Sequence, residues 1–565
     1  MTPSGPAASP QRLPGLCGIA PDTQRVSIIK IKSFVRPVSA TWLLLLSSLF
    51  LVASANGTFF SKVAEVYPLQ AANLGFLTSL AVFTTALLVL VMALFSLLLP
   101  VRLVVSLFIA LSAPIAYVAA SFGAIIDDAM IQNILETDTA EAFDLLSLRF
   151  LLRILLIGIL PVALVWFWPL KPAPVLQRLR HRSMLAAGAF ATLLVCVVSF
   201  GTGYADFFRE HKPLRFYANP VYAVYSIGSY FTEQVFAGKV QTFASVLPEA
   251  KLHLEIGHRE LIIMVVGETA RADRFSLNGY ERNTNPRLAN ESGLISYTNV
   301  SACGTSTAVS VPCMFVPEGR AEFTRNSVYA NENLLDVLQR AGVNVLWRDN
   351  NSGSKGVAER VPFEAFSSPD VNPVCDEECR DVGLLSGLQE YIDSVDGDIL
   401  IVLHQMGSHG PAYFRRYPAE FEQYTPACHS ADLNDCDQVE IQNAYDNTIL
   451  YTDYFLSEVI ALLKRNTPAF ETAMLYVSDH GESLGERGIY LHGLPYMFAP
   501  HEQTKVPLIL WAGSTSDIDI NSAIRKKDLP HSHDSIFNSM LATFEIEETL
   551  PGMPYSLYDV VGNNG

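Results

Sequence analysis

The stretch Leu261-Ile262-Ile263-Met264-Val265-Val266-Gly267-Glu268-Thr269-Ala270-Arg271 decides the architecture of the C-terminal half. Its first six side chains are all apolar, with no polar alternation. That pattern describes a strand buried on both faces, which requires a sheet covered by helices on either side. The run stops at Gly267, and a carboxylate follows at once. The same pattern returns at Val343–Trp347, Asp398–Leu403, Ala473–Ser478 and Val506–Trp511. Helical stretches lie between them. One is Glu332–Ala341, closed by Gly342; another is Asp446–Lys464, where Ile449, Leu456, Val459, Ile460 and Leu463 recur at helical spacing. Strand–helix alternation predicts an α/β domain with a mostly parallel central sheet. Ligands of such sheets gather at the carboxyl ends of the strands.

Those strand ends carry chemistry. The first ends in Glu268. The third runs into His404 and then Gly407-Ser408-His409-Gly410. The fourth ends in Asp479-His480-Gly481-Glu482, and His492 follows in Leu491-His492-Gly493. Taken singly, a histidine after a strand is more often a hydrogen-bonding residue, and an aspartate there usually caps the next helix. Several carboxylates and imidazoles on one sheet edge are instead a ligand set for zinc or manganese. A nucleophile is available in Cys303-Gly304-Thr305-Ser306-Thr307-Ala308. A helix starting there points backbone N–H groups at a phosphate, and a metal-bound hydroxyl loses its proton more readily. Spacing leaves open which of the three hydroxyls reacts.

The 565 residues exceed one ordinary core. Half are hydrophobic and mean hydropathy is +0.25, with the apolar excess concentrated before Ala205. Five segments meet the ~20-residue requirement for a membrane-spanning helix: Ala40–Phe59, Leu74–Leu99, Leu103–Gly123, Phe150–Leu170 and Met184–Tyr204. Arg153 is their sole ionisable residue and sits near a helix end, so no transport path is marked. Arg12, Arg25, Lys30, Lys32 and Arg36 precede the first span, and Lys171, Arg178, Arg180 and Arg182 precede the fifth. The stretch between the third and fourth spans is acidic, with Asp127, Asp128, Glu136, Asp138, Glu141 and Asp144. The positive-inside rule then places the N-terminus in the cytoplasm and the C-terminal domain outside. Ala53-Ser54-Ala55 has the form of a signal-peptidase site, but the long leader argues for a retained anchor. The expected division is a cytoplasmic leader (1–36), a transmembrane unit (37–204), an aromatic-rich interfacial linker (205–250) and the catalytic domain (251–565).

Six of the eight cysteines fall in the C-terminal half as close pairs, Cys303/Cys313, Cys375/Cys379 and Cys428/Cys436. Such pairs suggest disulfides and an oxidising compartment. A net charge of −17 makes nucleic acid an unsuitable partner.

Gly267-Glu268-Thr269-Ala270-Arg271, Cys303-Gly304-Thr305-Ser306-Thr307-Ala308, His404-Gln405-Met406-Gly407-Ser408-His409-Gly410-Pro411 and Ser478-Asp479-His480-Gly481-Glu482-Ser483, in this order, resemble the lipid A phosphoethanolamine transferases, a family that includes the mobile colistin-resistance enzymes. The resemblance covers nearly the whole chain. It implies an alkaline phosphatase/sulfatase-like domain in the periplasm, anchored in the inner membrane. It implies Thr307 as nucleophile, with Glu268, Thr307, Asp479 and His480 holding Zn2+. Lys355, Asn351, His404, His409 and His492 match positions that bind substrate phosphate or a second zinc, and His409 is the candidate general acid. Asn133, Thr137 and Glu141 match residues that meet the donor headgroup; at i, i+4 and i+8 they share one helix face. The family's disulfides join the neighbouring cysteines. The implied reaction takes phosphoethanolamine from phosphatidylethanolamine to a lipid A phosphate, releases diacylglycerol, reduces surface negative charge and confers polymyxin resistance, in an enzyme expected to act as a monomer. Alternatives are a core-sugar or glucan acceptor, phosphoglycerol transfer, or a sulfatase-type hydrolase. Against the last, Ser310-Val311-Pro312-Cys313-Met314 has methionine where the sulfatase signature needs arginine.

Overall fold

The computed structural model describes residues 36–136, 145–237 (233–237 as backbone alone), 243–252, 259–324, 326–546 and 556–561. Its N-terminal half is helical: α1 (Ala40–Ala55), α2 (Gly57–Val66), α3 (Ala71–Leu98), α4 (Val101–Phe122), α5 (Asp128–Glu136), α6 (Leu148–Phe167), α7 (Val175–Ser199), α8 (Gly201–Arg209) and α9 (Val221–Ala237). Helices α3, α4, α6 and α7 are each long and apolar enough to cross a bilayer, and α1 with α2 makes the fifth candidate as a pair bent by 63°.

The departures from the expected spans have local causes. The first span was expected to run straight to Phe59, but it breaks at Asn56. That buried side chain donates to Leu51 O and Asn219 O and accepts the Asn219 N–H at 2.9 Å. A polar pair this deep must satisfy itself, and it does so by leaving the helix. In α6 the segment Ile154–Ile159 takes π-helical turns just before Pro161. A proline lacks the N–H that an α-turn needs, and a wider turn absorbs the defect. The fifth span begins nine residues earlier than Met184 because the basic stretch holding Arg178, Arg180 and Arg182 is itself helical, and it ends before Phe200. Within the expected linker, Ala223 of α9 packs against Ile126 and Ile131, and Phe216 meets Phe498 of the C-terminal half.

Among the described residues the C-terminal half has ten strands: β1 (Glu260–Gly267), β2 (Leu294–Ser301), β3 (Asn344–Asp349), β4 (Phe363–Ala365), β5 (Ile399–His404), β6 (Glu471–Ser478), β7 (Ser483–Leu484), β8 (Tyr490–Leu491), β9 (Lys505–Ala512) and β10 (His531–Ser532). Eight form one sheet in the order β10-β2-β9-β6-β1-β5-β3-β4. It is parallel except that β9 runs against both neighbours, β2 and β6. Helices α10 (Thr307–Phe315), α11 (Leu334–Ala341), α12 (Gln438–Asn466) and α13 (Asp534–Thr543) belong to the same unit. Alternate residues of β1 serve two cores, as the unbroken apolar run requires. Ile262, Met264 and Val266 join Phe315 and Trp347 on one face; Leu261, Ile263 and Val265 join Tyr445 and Leu456 of α12 on the other. Helix α12 starts eight residues before the expected Asp446, at a capping box of Asp437 and Glu440.

At the end of the sheet away from the strands' carboxyl ends, Glu260 pairs in register with Glu471 and lies near Asp517. Burial, followed by the charges of Asp517 and Glu471, pushes the Glu260 carboxyl from 4.5 up to about 10. Below about pH 4.5 both folded and unfolded chains carry the proton; as pH rises, only the unfolded chain loses it, so stability falls, by roughly 3 kcal/mol at pH 7. Glu260→Gln should therefore melt about 5 °C above the wild type at pH 7, with the gain vanishing near pH 4.5. A melting temperature unchanged across that range would show that Glu260 is not held in this way.

Candidate active site

Three segments meet at the carboxyl edge of the sheet. Glu268 follows β1, Asp479 and His480 follow β6, and Thr307 is the first residue of α10. Thr307 Oγ1 lies 3.2 Å from Glu268 Oε2 and 3.4 Å from His480 Nε2. The ligand atoms of Glu268, Asp479 and His480 all fall within 4.8 Å of one another, and none of these side chains is exposed. The turn after Glu268 is strained: Thr269 has φ of +59°, a region non-glycine residues rarely occupy. In that conformation its hydroxyl donates to Glu268 Oε1 at 2.5 Å. Gly407 has no substitute, because a Cβ there would sit 2.7 Å from Glu268 O.

The cluster suits a divalent cation. His480 Nδ1 donates to Gly481 O, so Nε2 is the bare nitrogen. That nitrogen faces Asp479 Oδ2 at 3.2 Å and Glu268 Oε1 at 3.4 Å. Asp479 Oδ1 accepts the Thr269 and His480 N–H groups, while Oδ2 is buried without a hydrogen-bond donor. Burial, then the neighbouring Glu268 charge, pushes the Asp479 carboxyl well above the usual carboxylate range. Three electron-pair donors turned on one another, two of them carboxylates, make a ligand set that suits a divalent cation.

The phosphoethanolamine transferase EptA/EptB family profile matches residues 84–235, and the sulfatase profile matches residues 260–546. The chain is 42% identical over 526 residues to the phosphatidylethanolamine transferase Mcr-1 of Escherichia coli, covering 90% of this chain and 96% of that protein. It is 38% identical to the phosphoethanolamine transferase EptA of Salmonella typhimurium, covering 92% and 97%. The integral membrane lipooligosaccharide phosphoethanolamine transferase A of Neisseria meningitidis superposes with a TM-score of 0.86 at 32% identity, over 90% of this chain and 96% of that one. The chain belongs to the phosphoethanolamine transferase family. The transferase is held in the inner membrane by its helical half, with its sulfatase-like domain in the periplasm.

Of the transferase's other anticipated residues, Lys355, His409, His492 and Asn133 line one cleft together with Thr307. Lys355 takes a positive φ of +52°, its side chain is 7% exposed, and its ammonium donates to Ser352 O. The His492 ring lies 4.3 Å from that of His480 and 5.4 Å from that of His409. Asn351 and His404 stand apart from the cleft. Asn351 donates to Glu268 Oε2 and Gln405 O, so its amide orients a carboxylate of the cluster. His404 is fully buried, with Nδ1 on Asp349 Oδ2 at 2.8 Å and Nε2 without a hydrogen-bond partner. Thr137 and Glu141 lie outside the described residues. All three disulfides form: Cys303–Cys313, Cys375–Cys379 and Cys428–Cys436.

Several site residues escaped the sequence reading. Ser352 and Glu136 also line the cleft, the latter 3.6 Å from Lys355 Nζ. Glu482 is buried and fixes His492 through Nδ1 at 2.8 Å while accepting from Tyr413. Of these, only Glu482 carried a signal, as the last residue of Asp479-His480-Gly481-Glu482.

Proposed function

We propose that the transferase moves phosphoethanolamine from phosphatidylethanolamine to a lipid A phosphate through a covalent adduct on Thr307. The observation that carries this reading is the place of the Thr307 hydroxyl: at a helix N-terminus, against a cluster of donors that suits a cation. Glu268, Thr307, Asp479 and His480 would hold a zinc ion. When bound, it supplies positive charge that acidifies the hydroxyl and offsets charge on phosphoryl oxygens.

The chain's own groups divide the remaining work. Thr307 gives up its hydroxyl proton toward Glu268, its nearest acceptor, and Oγ1 bonds to the donor phosphorus. The bond from phosphorus to the glycerol oxygen breaks, and that oxygen takes a proton from an imidazole of the cleft, His409, to leave as diacylglycerol. A lipid A phosphate oxygen, giving its proton to the His409 imidazole, then bonds to the same phosphorus; the bond from phosphorus to Thr307 Oγ1 breaks, and that oxygen takes its proton back from Glu268. The N–H groups opening α10 and the Lys355 ammonium face the developing negative charge. Asn133 and its helix α5 form the wall of the cleft nearest the membrane half, where the donor headgroup would lie.

Lys355→Met should lower kcat/KM for the donor by about 10²–10³-fold, read by diacylglycerol release. A loss under threefold would remove Lys355 from the phosphoryl site. The overall reading is tested with the full chain in detergent, phosphatidylethanolamine and purified lipid A. Expected are diacylglycerol release, a phosphoethanolamine adduct mapped to Thr307, and lipid A carrying the added group. Release without modified lipid A would point to a different acceptor, and an adduct elsewhere would refute the nucleophile.

A further inference from the structure

Thr307 and the Asp479–His480 pair come from segments that follow β2 and β6, two strands that do not touch. Strand β9 lies between them. His533, just before α13, crosses that gap. Its side chain is fully buried. Nδ1 accepts the Cys303 N–H at 3.1 Å, and Nε2 donates to Ser478 O at 3.0 Å. Cys303 opens the nucleophile loop, and Ser478 is the residue before Asp479. Both bonds require one tautomer, neutral with its proton on Nε2, and burial lowers the ring to about 4, which keeps it so. The His533 N–H also donates to Ser301 O, which anchors the bridge to β2. Beyond Ser478 the chain of bonds continues. Its hydroxyl accepts from Ala270 N at 2.7 Å and donates to His480 O at 2.9 Å, reaching the turns that carry Glu268 and His480.

We infer that His533 is a positioning residue for the transfer: its two ring nitrogens set the separation between the Thr307 loop and the strand end bearing Asp479 and His480. The inference rests on the reading of Thr307 as nucleophile. Two other ties act nearby. The Cys303–Cys313 disulfide joins the loop to α10, not to β6. The backbone of Gln503 and Thr504 receives the Gly481 and Ala302 N–H groups, but no side-chain change removes those bonds. Among the described residues outside the reacting cluster itself, His533 is a side chain that bonds to both segments. A misplacement of about 1 Å between reacting groups is enough to cost ~10²-fold in rate, so loss of the bridge should be visible in chemistry before it is visible in metal binding.

The test compares His533→Leu, which has neither bond, with His533→Gln, whose amide can accept one hydrogen bond and donate another. Single-turnover formation of the Thr307 adduct is measured beside zinc content and donor KM, on the full chain in detergent. Expected is adduct formation slowed at least ~100-fold in His533→Leu and at most ~10-fold in His533→Gln, with zinc retained and donor KM within threefold of the wild type. Adduct formation in His533→Leu within threefold of the wild type overturns the inference, because the ring would then be packing material. Equal slowing in the two variants overturns it too, because side-chain shape and not the two bonds would matter. If His533→Leu does not fold, His533→Asn, too short to make both bonds, takes its place with the same outcomes. Wild-type protein that releases diacylglycerol without an adduct on Thr307 would instead sink the proposed function.

Discussion

Thr307→Ala is expected to reduce diacylglycerol release by at least ~10³-fold while the protein keeps its zinc. The two halves of this expectation come from different atoms. Oγ1 is the oxygen proposed to bond to phosphorus: of the loop's three hydroxyls, Thr307 is the one bonded to Glu268 and His480, while Thr305 Oγ1 is spent on Leu494 O at 2.6 Å. Metal retention follows from Glu268, Asp479 and His480, which already converge on one another without Thr307. The donor should still bind, because Lys355, His409 and His492 are untouched. Thr307→Ser keeps an oxygen at the same helix N-terminus and should recover a measurable fraction of the rate. Diacylglycerol release and zinc content, measured on one preparation of each variant, decide the matter. Release from Thr307→Ala within tenfold of the wild type would transfer the nucleophile's role to another group, and loss of zinc along with activity would make Thr307 a ligand first.

The sheet's centre was legible because β1, β3, β5, β6 and β9 are buried on both faces, and burial of that kind leaves a continuous apolar run. Strands toward the margin of the sheet leave no such trace. Strand β2, next to the short edge strand β10, reads Leu-Ile-Ser-Tyr-Thr-Asn-Val-Ser, half apolar and only partly buried, and nothing local marks it. The reversed direction of β9 was equally hidden, since an apolar run has no polarity and the connection before it decides its sense. Within the site, Glu268, Asp479 and His480 could be found because strand ends put them there. Glu136 and His533 could not, because each reaches the site by packing between segments more than 50 residues apart or between the two halves of the chain. The break at Asn56 belongs to the same class: its cause is Asn219, 163 residues away.

Asp479→Asn should separate the metal's role from the fold's. With a bound ion removed, Glu268 and Asp479 would face one bare imidazole nitrogen, and burial, then the Glu268 charge, pushes the Asp479 carboxyl well above the usual carboxylate range. A chelator should therefore lower the wild-type melting temperature by several degrees, as loss of any ligand bound only to the folded state must. Asparagine changes both sides of that comparison. Its carbonyl can still accept the Thr269 and His480 N–H groups now held by Oδ1, so the turn after β6 keeps its shape. Its amide replaces the unpartnered Oδ2 with a donor that can face Glu268, which removes the like-charge contact. Zinc content should fall below one-tenth per chain, and transfer should drop by ~10³-fold or more with it. The melting temperature should no longer respond to chelator, and should lie at or above that of chelated wild type. A variant that loses activity but retains zinc would place Asp479 outside the ligand set. One that melts well below chelated wild type would mean that the carboxylate holds the sheet edge together by its own hydrogen bonds, and the empty-site repulsion inferred from its burial beside Glu268 would be wrong.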